Sequence, residues 1–126
     1  MSEPIGSVTV RTSPTRSRLV LAGEVDMSLA EELSAAVDNV LALAMPVDVL
    51  VRDVTFLDSS GLSKLVRLAT SSISRTRLIE PPEFVRFLLE VTRMDEVLDV
   101  VEKDPGFPDD DPSPDVVGLG SQRDAV

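Results

Sequence analysis

Val47 to Val51 is the stretch that most constrains the fold. Four of its five residues are Val or Leu, only Asp48 is polar, and apolar residues recur at Val54, Phe56 and Leu57. A strand that is apolar on both faces belongs in the middle of a sheet covered on both sides, which is the position of a central strand in a parallel or mixed sheet. Elements of alternating type flank it. Val8-Thr9-Val10-Arg11 alternates as a short strand, Ser13-Pro14-Thr15 reads as a turn, and Arg18 to Ala22 is a second strand ending in a break or bulge at Gly23. Ser28-Leu29-Ala30-Glu31 has the form of a capping box, with Ser28 capping and Glu31 reaching back. Leu29, Leu33, Ala36, Val37, Val40, Leu41 and Ala44 then recur at helical spacing until Pro46.

After Leu57 the period changes from strand to helix. Leu62, Leu65, Val66, Ala69 and Ile73 form the expected buried stripe of a second helix that begins at Ser59 or Ser60. Thr76 to Ile79 reads as another strand. Pro81-Pro82 opens a third helix, which Phe84, Leu88 and Val91 turn inward, with Phe87 nearby. Val97 to Val101 is a last strand or helical turn. The order strand, strand, helix, strand, helix, strand, helix predicts an α/β fold with a mixed sheet of four to five strands. Right-handed crossovers place the helices mainly on one face.

The chain's 126 residues suit one domain. After Lys103 the composition changes: Pro105, Pro108, Pro112 and Pro114 interleave with Asp109-Asp110-Asp111 and later glycines. The expected division is a folded domain over 1–103 and an acidic, Pro/Gly-rich disordered tail over 104–126.

Composition excludes several chemistries. There is neither cysteine nor histidine, which removes disulfides, thiolates, the usual general base and the commonest metal ligand. The net charge of −10 argues against nucleic acid, whose phosphates call for basic patches. The chain has no 18-residue apolar span and no basic-apolar leader at Met1-Ser2-Glu3-Pro4. A cytoplasmic protein with no membrane partner is expected.

Asp58-Ser59-Ser60-Gly61 lies at the strand-to-helix junction, where free N–H groups and the helix dipole favour an anion. The residue types leave two readings open. In one, Asp58 caps the helix and the serines are first-turn residues. In the other, one serine accepts a phosphate of about −1.5 to −2 charges, and Gly61 leaves clearance for a partner. With no histidine to activate them, the serines read as another enzyme's substrate, and the chain is not expected to be an enzyme or to carry a cofactor. A receiver domain with Asp58 as phosphoacceptor fits poorly. Glu24 and Asp26 do not form its metal-holding pair after the first strand, and Lys103 comes too late.

Val54-Thr55-Phe56-Leu57-Asp58-Ser59-Ser60-Gly61-Leu62 resembles the signature of the STAS domain, and more narrowly that of bacterial anti-sigma factor antagonists. Leu21-Ala22-Gly23-Glu24-Val25-Asp26 looks like the family's Gly-Glu-Leu-Asp turn, Arg77 to Pro82 like its strand running into a proline turn, and Phe84 to Leu98 like its closing helix. The resemblance covers residues 8 to about 102. It departs in a shorter segment from Gly61 to Glu80 and in Leu50, where the family often has a polar residue. The resemblance implies phosphorylation of Ser60 by a partner that is both serine kinase and anti-sigma factor. It implies a partner surface of Asp26, Asp58, Ser59, Gly61 and Lys64, and a phosphatase acting on Ser60. Unphosphorylated, such a protein binds the kinase and frees the sigma factor; phosphorylated, it does not. The alternative is a STAS scaffold or sensor without a phosphorylation cycle.

Overall fold

The computed structural model describes residues 5–107. Strands β1 (Gly6–Thr12), β2 (Ser17–Val25), β3 (Val47–Leu57), β4 (Arg77–Ile79) and β5 (Asp99–Val101) form one sheet in sequence order. The first pair is a hairpin, and the other three pairings are parallel. Helices α1 (Ala30–Ala42), α2 (Ser59–Ser71) and α3 (Glu83–Val91) connect the parallel strands. All three place side chains in a single core. Leu33, Val37 and Val40 of α1, Leu65 and Leu68 of α2, and Val85 and Leu89 of α3 meet Leu19, Leu21, Val47, Val49, Val51 and Leu78 of the sheet. The α/β fold, the five-stranded mixed sheet and the helices gathered on one face agree with the expectation.

Several local readings are corrected. The capping box does not form. Asp26 caps a 3₁₀ turn (Met27–Leu29) that precedes α1, accepting from the Ser28 amide, and Leu29 stands at the α1 N-cap without a side-chain bond. The helix stops before Pro46, through a left-handed Ala44 with φ of 54°. Strand β3 continues past Val51 to Leu57, with register shifts against β2 on either side of Ala22 and Gly23. On α2 the inward residues are Gly61, Leu65 and Leu68, whereas Val66 and Ile73 are exposed. On α3 they are Val85 and Leu89, and Phe84, Phe87 and Val91 face solvent at 38%, 62% and 60% exposure. Pro82 sits at the N-cap of α3, and Leu88 packs against the core as expected.

The face of the sheet opposite the helices is organised in cross-strand rows. Arg11, Arg18, Asp48, Arg77 and Asp99 are successive register partners across all five strands. The next row is Thr9, Val20, Leu50, Ile79 and Val101. The chain after β5 folds back over these rows. The Asp104 amide donates to Glu80 Oε2 (2.8 Å), and its carboxylate takes two bonds from Arg18 (2.9 and 3.0 Å). The Phe107 ring is buried, with the Arg11 and Arg18 guanidinium carbons 5.4 and 5.1 Å from its centroid. Asp104 and Phe107, which the expected division assigns to the tail, thus find cationic partners on the sheet. The remainder of the expected tail, 108–126, lies outside the described residues.

Candidate functional site

Strands β2 and β3 end side by side, with Val25 opposite Leu57. Each runs into the same tripeptide geometry. In Asp26-Met27-Ser28, Asp26 Oδ1 accepts from the Ser28 amide (3.0 Å) and the Ser28 hydroxyl (2.6 Å). In Asp58-Ser59-Ser60, Asp58 Oδ1 accepts from the Ser60 amide (2.9 Å), the Ser60 hydroxyl (2.6 Å) and the Gly61 amide (3.1 Å). The two turns are joined: the Asp58 amide donates to the Val25 carbonyl (3.2 Å), and the Met27 amide donates toward the Asp58 carboxylate. The Ser60 hydroxyl, followed by the other donors, holds the Asp58 carboxyl below its ordinary pKa, against a smaller opposing effect of desolvation. Asp58 is the N-cap of α2 and is ionised at neutral pH.

The middle residue of each turn points out. Ser59 and Met27 occupy equivalent positions, and both are exposed. The Ser59 hydroxyl has no hydrogen-bond partner among the described residues, whereas the Ser60 hydroxyl is half-buried and committed to Asp58. Lys64 follows one turn later on α2, half-buried and without a carboxylate partner among the described residues. Arg67 is tied to Asp38 of α1 at 2.6 Å and serves the packing of the two helices. Among the described residues, no group of three or more acidic side chains could hold a metal ion, and no helix is long and apolar enough to cross a membrane.

Of the expected site residues, Asp26, Asp58, Ser59, Ser60 and Lys64 are gathered at this end of the sheet and the start of α2. Gly61, the remaining expected site residue, lies beneath this surface. It is buried, and a Cβ built there would lie 2.7 Å from Leu57 Cδ1, 2.8 Å from Val25 Cγ1 and 3.1 Å from the Val25 carbonyl oxygen. Its clearance serves the close approach of α2 to the strand ends. Two exposed apolar residues at the same end, Met27 and Phe56, escaped the sequence reading. The repeated Asp-x-Ser pattern was the available signal for Met27.

A family model described as Mlab, STAS domain, matches residues 8–102. The chain belongs to the STAS domain family. Solved structures share this fold. An anti-sigma factor antagonist from Mycobacterium paratuberculosis is 23% identical with a TM-score of 0.71, over 86% of this chain and 94% of that one. The anti-sigma factor antagonist SpoIIAA in its unphosphorylated form is 19% identical, with a TM-score of 0.60 over 75% and 88% of the two chains. The Bacillus cell fate determinant SpoIIAA in the phosphorylated form is 18% identical, with a TM-score of 0.57 over 75% and 91%. No curated protein matches this STAS domain by sequence.

Proposed function

We propose that this STAS domain is an anti-sigma factor antagonist that binds an anti-sigma factor serine kinase through the paired strand ends and is released by phosphorylation there. The observation that carries this reading is the capped Asp58-Ser59-Ser60 turn, which presents a serine hydroxyl to solvent at the N-terminus of α2. A phosphate added at this surface brings charge beside Asp26 and Asp58, so a partner that packs there must desolvate an added dianion next to two carboxylates.

Exposure and hydrogen bonding favour Ser59 as the acceptor over Ser60, the residue implied by the family resemblance. A phosphate ester on Ser60 has no hydroxyl proton to donate, so Asp58 would lose its 2.6 Å bond and face the dianion directly. Phosphate on Ser59 leaves all three bonds to Asp58 intact and changes only the surface charge. The switch then acts by electrostatics at the contact and leaves the fold unaltered.

Incubation with candidate anti-sigma factor serine kinases and ATP, followed by intact mass measurement, tests both parts. One phosphate is expected on the wild type and on Ser60→Ala, and none on Ser59→Ala. Loss in Ser60→Ala alone would transfer the assignment to Ser60. A wild-type chain that binds such a kinase without gaining phosphate would favour the scaffold reading.

A further inference from the structure

The face of the sheet opposite the helices gathers arginines around one buried carboxylate. Asp48 is fully buried, and its two oxygens meet three guanidinia: Arg77 at 2.8 and 2.9 Å, Arg18 at 3.2 Å and Arg16 at 3.2 Å. Arg52 lies two residues beyond Leu50 on β3, where the register with β2 shifts, and pairs with Glu80 at 3.0 Å. Before Asp104 is placed, this group holds four guanidinia against two carboxylates. Arg18 is 1% exposed, and its Nε has no hydrogen-bond partner. A surface of this kind, in a chain of net charge −10, selects an anion.

The chain fills it with its own segment. Asp104 forms a bidentate pair with Arg18 and a longer contact of 3.4 Å with Arg52, and the Gly106 amide closes a turn onto Asp104 Oδ1 at 2.8 Å. Three residues after the carboxylate, Phe107 lays its ring on two guanidinia. Phe107 and Ile79 are both buried, yet neither belongs to the core shared with the helices. The segment has no secondary structure after Val101. Its described side-chain contacts are made to arginines, a mode of recognition that works as well between chains as within one.

We propose that Asp104–Phe107 is a releasable internal ligand of a peptide-binding cradle formed by Arg18, Arg52 and Arg11. The cradle takes a partner segment that carries a carboxylate and, three residues later, an aromatic ring. Arg18 is the register partner of Asp48 at the start of β3, and Arg52, the cradle residue nearest the motif, stands mid-strand. At about 3.3 Å per residue Arg52 is roughly 23 Å from Ser59 along the chain, so the two sites can be occupied together. This proposal does not depend on the phosphorylation reading.

A labelled peptide spanning residues 102–109 is the probe. Titrated into the full-length Asp104→Asn/Phe107→Ala variant, it should bind at least tenfold more tightly than to the wild type, whose cradle is filled. The same peptide with Asn in place of the aspartate at position 104 should lose most of that binding. A folded variant that ignores the peptide, or one that binds both peptides equally, would overturn the proposal. Amide exchange of the wild type provides the second measurement if the variant fails to fold. The Asp104 and Gly106 amides should exchange at least a hundredfold faster than the Val49 amide, and exchange at the core rate would show that the segment never leaves. A wild-type dimer that the peptide dissociates would assign the cradle to a second copy and overturn the choice of a foreign partner.

Discussion

Asp48→Asn should be among the most damaging single changes available in this domain. The substitution keeps shape and removes one charge. Asp48 is at 0% exposure, and four contacts of 2.8 to 3.2 Å from three arginines converge on its two oxygens. Asn offers one carbonyl oxygen in place of two anionic ones, and its amide N–H groups would face guanidinium N–H groups on the other side. The three guanidinia are then left near one another, and of them only Arg18 keeps a carboxylate partner, Asp104, among the contacts described. Breaking a buried ion pair by removing one partner costs about 3–5 kcal/mol, because the remaining charge stays buried and uncompensated. Solvent reaches Arg16 and Arg77, whose side chains are 24% and 29% exposed, so the lower part of that range is expected.

For a domain of this size, each kcal/mol corresponds to about 4–8 °C in the thermal midpoint. A loss of about 3 kcal/mol therefore predicts a midpoint lower by roughly 12 °C or more. Parallel thermal and urea denaturation of the wild type and the variant measures it, with an unchanged urea slope confirming that the same surface unfolds. A loss below about 1 kcal/mol would refute the reasoning. It would mean that the arginines relax into water and that the row on this face is surface decoration.

Two further outcomes follow from the geometry. Gly61→Ala should destabilise the fold although Ala exceeds Gly in helix propensity by about 1 kcal/mol, because the new Cβ meets the stiff Val25 side chain and its carbonyl, an overpacking that costs about 1–3 kcal/mol; a raised denaturation midpoint would contradict this. Asp104 is held below its ordinary pKa of 3.8, chiefly by the Arg18 hydrogen bonds, and Arg52 and Glu80 are the other charged groups that face it. Its contribution to stability is therefore complete above about pH 4 and lost as pH falls through the lower folded value, so the wild type and Asp104→Asn should differ in urea midpoint at pH 6 and converge toward pH 2; a constant gap across that range would show that the carboxylate's charge is not what holds the segment.

What the sequence revealed, and what it hid, divides along the range of the interactions involved. The alternation of elements, the central place of β3 and the capping role of Asp58 all rest on contacts within a few residues, and each was legible. The inward face of α3 was not, because Glu83–Val91 carries two apolar stripes. Phe84 and Val91 fit helical spacing as well as Val85 and Leu89 do, Leu88 packs against the core beside the latter pair as expected, and only the way α3 lies on the sheet chooses between the stripes. The place of Asp104 was hidden for a related reason. Asp-Pro-Gly after Lys103 has the composition of a loop, and nothing near it in sequence accounts for its order. Its partners Arg18 and Arg52 lie 86 and 52 residues away and are brought together by strand register. Asp48 held the usable clue. A carboxylate flanked by Val47 and Val49 in the buried first half of a central strand calls for cations at the same register position on the neighbouring strands. Arg18 and Arg77 stand there. Asp104 then completes the partners of Arg18 from the far end of the domain.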